Sequence, residues 1–469
     1  MTETITENTA GNSLSDRKTS LRENLTYGLT AVAENPIYTI MISFLIFFYT
    51  DVIGINAGIV GTIILISKFF DGLSDVIAGN IVDHTHTKAG SARPWYLRLA
   101  IPMVFAYIIL FTVPNVGTVG KAAYIFISYN LVSTIIYTML SAVMNALPAF
   151  ITENRNSRSV MLSIRVLIGA ITQMGITVAI LPLVEKLGGG QGGWVKMAAI
   201  LGIVSAVVLI FIYFHTKETA IDPSADDAGD SDVPLLTAIK SLLKNKYWLI
   251  CLLMYFINIL TQVAILTVGV YYAKYVLHDE NLIANLTLYF FPGALICMCF
   301  VPAILSKGIS KRILCIMSMV VLIFGSLLTM IPSSSGAFFI IGLVLRGIGF
   351  GVISSAAPGM ILETIVYGEW KTGYNIPSVT LTALGVGQKV GSGIGTALLG
   401  IVLSICGYDG LAATQPPSAV SAISFIYVFL PAVLSVFIII CMYFFKLDSE
   451  YPKYVEELKQ RKEKQLADE

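Results

Sequence analysis

Three ionisable residues stand close together inside an otherwise apolar stretch: Lys68, Asp71 and Asp75, in ISKFFDGLSD. Spacings of three and four residues put all three on one narrow stripe of a helix. Two carboxylates beside an ammonium group can bind a sodium ion or hold a proton, because like charges held together favour a bound cation. Such charges are costly in hydrocarbon, so they mark a candidate coupling-ion site; the competing reading is an ion-pair cluster that only fixes helix packing. Lys389, in GVGQKVGSGIGTALLG, is a lone cation in a Gly-rich helix whose small residues let neighbours approach. Asp71 or Asp75 is its expected counter-ion. Glu34 and Asn35 precede Pro36, where a proline frees backbone carbonyls and makes a polar lining. Arg346, in LVLRGIGFG, fits packing and cavity-lining roles equally.

The elements that must carry these residues follow from composition. The 469 residues are 56% apolar and 13% charged, with a mean hydropathy of +0.79. That much apolar surface exceeds what a soluble fold of this length encloses, whereas a bilayer accepts it. An all-α polytopic membrane protein is expected. Twelve apolar stretches of spanning length lie near 28–52, 57–82, 96–115, 121–150, 160–184, 193–215, 247–275, 281–305, 311–332, 336–365, 376–406 and 418–446. The expected organisation is a tail (1–27), a six-helix half (28–215), a polar connector (216–246), a second six-helix half (247–446) and a charged tail (447–469), the last a solvated, partly helical extension. With both termini inside, cytoplasmic segments hold 23 of the 30 basic residues and outer loops four, which sets the orientation. Two six-helix halves, with the short basic loops GNIVDHTHTKAGSARPW and SKGISKRI at equivalent places, imply a duplicated architecture with a site near mid-membrane between the halves.

The six cysteines fall in apolar runs without metal or disulfide spacing, and the four histidines sit in loops or at helix ends. No nucleophile–base pair or metal set suggests an enzyme. A net charge of +1 gives no reason to expect nucleic acid as a partner. The polar first 25 residues do not read as a cleavable signal peptide.

Several motifs, in order along most of the chain, resemble those of the glycoside-pentoside-hexuronide:cation symporters, a branch of the major facilitator superfamily. They are FFYTDVIG (47–54), KFFDGLSDVIAG (68–79), DHTHTKAGSARPW (83–95), ITENRNSRSVMLSIR (151–165), YGEWKTG (367–373) and Gln388-Lys389 with the glycines that follow. The resemblance implies a twelve-helix fold and cation-coupled symport of a glycoside, pentoside or hexuronide by alternating access, in the cytoplasmic membrane. It implies a cation site at Asp71 and Asp75, open to H+ or Na+, with Thr138 and Ser74 beside it. Lys389 and Lys68 stand at the substrate and coupling region with Asn35, Glu34, Tyr137, Ser141 and Asn145. Asp83, Arg93, Arg158, Arg165, Glu369 and Lys371 fall in the loop and gate motifs of the cytoplasmic side.

There are departures. Two carboxylates that bind sugar hydroxyls in melibiose-carrying members correspond here to Asn35 and Ser141, and a stacking tryptophan to Asn145. Two fewer negative charges beside Lys389 make an acidic glycoside as admissible as a neutral pentoside. Ser74 stands where sodium-using members carry Asn, which favours protons over sodium. No cofactor beyond the coupling ion is expected, the partners are a small glycoside and the bilayer, and symport requires no oligomer. The alternatives are a carrier of lipid-like solutes on the same fold and a membrane sensor that transports nothing.

Overall fold

A computed structural model describes residues 18–468 apart from 86, 153, 219–234, 279–281, 306, 332–335, 375 and 413. Its regular structure, among the described residues, is helical, and eleven helices are long and apolar enough to cross a membrane. The helix that carries Lys68, Asp71 and Asp75, Ala57–Asp83, is not among the eleven. Its 27 residues extend about 40 Å at ~1.5 Å per residue, more than a hydrocarbon core.

The chain groups into two compact units, Met1–Asp227 with Thr396–Pro416, and Ala228–Gly395 with Pro417–Glu469. The first contains α1 (Leu21–Val52), α2 (Ala57–Asp83), α3 (Arg93–Phe111), α4 (Thr118–Ile151), α5 (Arg155–Lys186) and α6 (Gly190–His215). Helix starts are written in the sequence as side-chain caps. Ser20 and Glu23 form a reciprocal capping box on α1, Asn56 accepts the N–H of Gly58 at 2.8 Å on α2, and Asn154 accepts that of Ser157 at 3.0 Å on α5. Helix α6 packs along α3, α5 along α1, and α2 along α4. One end of the unit is closed by Trp194, stacked on Phe111 at 5.3 Å with Phe48 at 5.5 Å. Helices α1 and α4 each contain π-helical turns, at Ile40–Phe44, Phe48–Val52 and Leu131–Tyr137.

The second unit contains α7 (Leu235–Lys244), α8 (Lys246–Tyr275), α9 (Leu282–Leu305), α10 (Lys311–Leu328), α11 (Ala337–Thr372), the first part of α12 (Pro377–Ile405), α13 (417–444) and α14 (Leu447–Asp468). Glycines in RGIGFG let α11 lie directly on α9: a Cβ at Gly347 would fall 1.9 Å from the Phe290 carbonyl oxygen. Arg346, read from sequence as packing or cavity-lining, is fully buried, with its guanidinium over the Tyr427 ring at 4.6 Å and Nη2 donating to the Tyr427 carbonyl at 2.8 Å. It packs. The tail is more than a solvated extension, because α14 docks on α11: Tyr454 is buried against Tyr367 and Trp370.

The two units repeat one device. In the first, the Glu218 carboxylate, three residues past α6, accepts the N–H groups of Ser91, Ala92 and Arg93 at 2.6–3.0 Å, at the start of α3. In the second, Asp448, just past α13, accepts the Arg312 N–H at 2.9 Å and the Ser310 hydroxyl at 2.6 Å, at the start of α10. Each carboxylate satisfies orphan donors of a helix N-terminus and complements its dipole.

Candidate functional site

Asp71 is 1% exposed. On its own helix Lys68, one turn earlier, places Nζ 2.7 Å from Oδ2. From α4, the Ser133 hydroxyl donates to Oδ2 at 2.9 Å and the Thr134 hydroxyl to Oδ1 at 2.6 Å. Asn130 extends the network to Ser67 at 2.8 Å, and Lys68 also lies 5.6 Å from the centre of the Tyr129 ring. The π-helical turn Leu131–Tyr137 explains how two adjacent residues reach one carboxylate. A wider turn advances less per residue around the axis, so Ser133 and Thr134 both face α2, and the Ser133 carbonyl is satisfied by the Thr138 hydroxyl at 3.1 Å. Ser74 gives its hydroxyl to the Asp71 carbonyl at 2.9 Å and lies 3.4 Å from Thr138. Ser74 and Thr138 thus brace the backbone beneath the carboxylate. Asp75 is half-buried one turn further along α2.

A second cluster joins α1, α4 and α5 in the same unit. Arg165 Nη2 lies 2.5 Å from Glu34 Oε2, and Nη1 donates to Asn145 Oδ1 at 2.7 Å and to the Tyr27 hydroxyl at 3.3 Å. Tyr27 is itself anchored to the Met144 carbonyl at 3.1 Å. Beside it Tyr38 stacks on Tyr137 with centroids 6.3 Å apart. Asn35 points its amide at the Ala31 carbonyl, 3.0 Å away, and Ser141 is half-buried on α4. Proximity of Glu34 to Pro36 made it a polar lining residue; its partner, 131 residues away, could not be read from spacing.

Lys389 is half-buried on the part of α12 that belongs to the second unit. The loop residues have local tasks. Arg93 donates Nε to the Tyr213 carbonyl at 2.6 Å, Arg158 caps the end of α4 through the Thr152 carbonyl at 2.7 Å, and Lys371 reaches the Lys244 carbonyl at 2.8 Å. Glu369 is half-buried near the end of α11, and the side chain of Asp83 lies outside the described residues. Ser133, Thr134 and Asn130 escaped the sequence reading, although the polar spacing NLVST was visible in an apolar segment.

A solved nucleoside transporter, NupG, has the same fold, superposing with a TM-score of 0.59 over 90% of this chain and 99% of that one, at 13% identity. Residues 26–449 match the family described as MFS/sugar transport protein. The chain belongs to that family, in the glycoside-pentoside-hexuronide:cation symporter branch its motifs resemble. It is 31% identical over 456 residues to an isoprimeverose transporter of Lactiplantibacillus pentosus, covering 95% of this chain and 93% of that one. It is 25% identical over 459 residues to a glucuronide carrier protein homolog of Escherichia coli, covering 96% and 98%. The protein is a multi-pass membrane carrier and not an enzyme.

Proposed function

We propose that the chain carries a glycoside across the cytoplasmic membrane together with a cation, by alternating access, with α2 as a twelfth span and both termini on the cytoplasmic side. The observation that carries this reading is the Asp71 cluster: a buried carboxylate held by an ammonium group and two hydroxyls, one turn from a second, more accessible carboxylate. In hydrocarbon such a group is tolerated where charge must be exchanged. The names of the relatives, an isoprimeverose transporter and a glucuronide carrier homolog, support a glycoside as the solute.

The proposed coupling ion is a proton carried on Asp75. The Lys68 ammonium already occupies the cation position at Asp71, so an ion that needs one carboxylate fits more readily than one that needs both. The Glu34–Arg165 cluster with Tyr38, Tyr137, Ser141 and Asn145 is the proposed sugar-binding face. Ion and sugar then raise each other's affinity by reciprocal linkage.

Uptake of radiolabelled glycosides into energised vesicles, with a proton or a sodium gradient imposed separately, tests this. Accumulation driven by the proton gradient and abolished by Asp75→Asn is expected. Accumulation driven by sodium alone would reassign the ion, and uptake indifferent to both gradients and to the substitution would overturn the coupling site.

A further inference from the structure

The Arg165 guanidinium is the kind of group that grips a sugar carboxylate, since its planar fork matches two carboxylate oxygens. In this protein the fork is already closed. Glu34 faces Nη2 at 2.5 Å, Asn145 and Tyr27 accept from Nη1, and the Tyr27 ring lies 5.9 Å from the guanidinium carbon. Both charged side chains are withdrawn from solvent, at 14% and 10% exposure. The neighbouring cation of the same unit, Lys68, is likewise held by a carboxylate, that of Asp71.

We propose that Glu34 is a specificity-determining residue that reserves the site for uncharged glycosides by occupying the guanidinium a uronic acid would need. This rests on the reading of the α1, α4 and α5 face as the sugar site. A sugar carboxylate entering there meets two obstacles. It must displace Glu34 from Arg165, and it must then sit beside the displaced carboxylate in a poorly hydrated place. Like charges brought together in such surroundings discriminate strongly between ligands of the same shape, and a repulsive element of this sort is a common source of selectivity. An uncharged sugar leaves the ion pair intact and bonds to its outer edge, Asn145 and the tyrosines. The loss of carboxylates at Asn35 and Ser141, which by sequence leaves an acidic glycoside admissible, is therefore offset by one that sequence could not pair with Arg165.

The test uses the full-length carrier in proteoliposomes, with two probes: isoprimeverose, which is uncharged, and methyl glucuronide, which carries a carboxylate. The wild type is expected to take up the first and to be inhibited by the second only weakly. In Glu34→Gln the apparent affinity for methyl glucuronide is expected to rise about tenfold or more while that for isoprimeverose changes much less. Glu34→Asp, which keeps the charge, should restore the wild-type preference. Should Glu34→Gln fail to reach the membrane, Glu34→Asn carries the test with the same expected gain, and the double variant Glu34→Gln with Arg165→Gln is expected to refuse the glucuronide, because the guanidinium is gone. Equal loss for both probes in Glu34→Gln, uptake of glucuronide by the wild type, or glucuronide uptake by the double variant would overturn the proposal. A wild type that carries neither probe, nor any other glycoside, would instead overturn the sugar-transport reading on which it stands.

Discussion

Thr134 donates its hydroxyl to Asp71 Oδ1 at 2.6 Å, tying α4 to the charged stripe of α2. With Ser133 on Oδ2, one π-helical turn satisfies both oxygens of a carboxylate that is almost completely withdrawn from solvent. Removing a hydroxyl from such a group typically costs about 1–3 kcal/mol, because the acceptor is left without its partner. Thr134→Ala is expected to lower thermal stability by that order in detergent and to raise, several-fold, the ion concentration needed for half-maximal uptake. Thr134→Ser, which keeps the oxygen, should do neither.

The Lys68–Asp71 pair makes a sharper prediction. Leaving one member of a buried ion pair alone is more damaging than removing both, by roughly 3–5 kcal/mol against a near-neutral change. Lys68→Gln should therefore destabilise the carrier more than the double variant Lys68→Gln with Asp71→Asn. A double-mutant cycle on thermal unfolding reads the difference; strictly additive losses would show that the two residues do not act as a pair.

The last part of α12, from Thr396, belongs to the first unit and lies against the start of α2 and the end of α1. A Cβ at Gly400 would fall 2.3 Å from the Ala57 carbonyl oxygen, and Tyr408 donates its hydroxyl to Asp51 at 2.5 Å. Gly400→Val is expected to lower stability by about 1–3 kcal/mol through overpacking. Tyr408→Phe removes one charge-assisted hydrogen bond without changing shape. Uptake rates and unfolding temperatures of the two variants should fall in that order.

Arg346 buries a full guanidinium against Tyr427 in the second unit, and two of its nitrogens, Nε and Nη1, find no acceptor among the described residues. Replacing such a cation with an apolar side chain of similar length is often neutral or stabilising, whereas truncating it opens a cavity. Arg346→Met is expected to unfold at or above the wild-type temperature and Arg346→Ala several degrees below it.

Docking of α14 should depend on pH. Hydrogen bonds from the hydroxyls of Tyr247, at 2.5 Å, and Tyr454, at 2.8 Å, hold the Glu450 carboxyl below the usual carboxylate range. A depressed folded-state pKa contributes stability that is complete above the unfolded value, about 4.3 for Glu, and is lost as pH falls through the lower folded value. Docking is therefore expected to be constant from pH 8 to about 5 and to weaken only below about 4. Trp370, whose indole N–H donates to Glu457 at 2.6 Å, reports release of the helix through its fluorescence. In Glu450→Gln the acid transition should disappear or shift.

Much of this protein is decided along the chain. Hydropathy alone makes it a membrane protein, because no soluble core of this size could enclose its apolar surface. Helix starts are set locally by the caps at Ser20, Asn56, Asn154 and Asn245, whose partners lie only two or three residues away. The stripe of Lys68, Asp71 and Asp75 is legible for the same reason, and Lys68 does meet Asp71. What needs tertiary structure is every partner on another helix. Regular helical periodicity cannot say that Ser133 and Thr134 both face α2, because the π-helical turn shifts the phase just there. The short basic loops show an echo between the halves, but only the folded chain brings Glu218 onto the start of α3 and Asp448 onto that of α10. Glu34 and Arg165 are polar residues on separate helices in the sequence; packing of α5 on α1 makes them one neutral pair. Periodicity fixes which face a side chain takes, and tertiary packing alone fixes what that face meets.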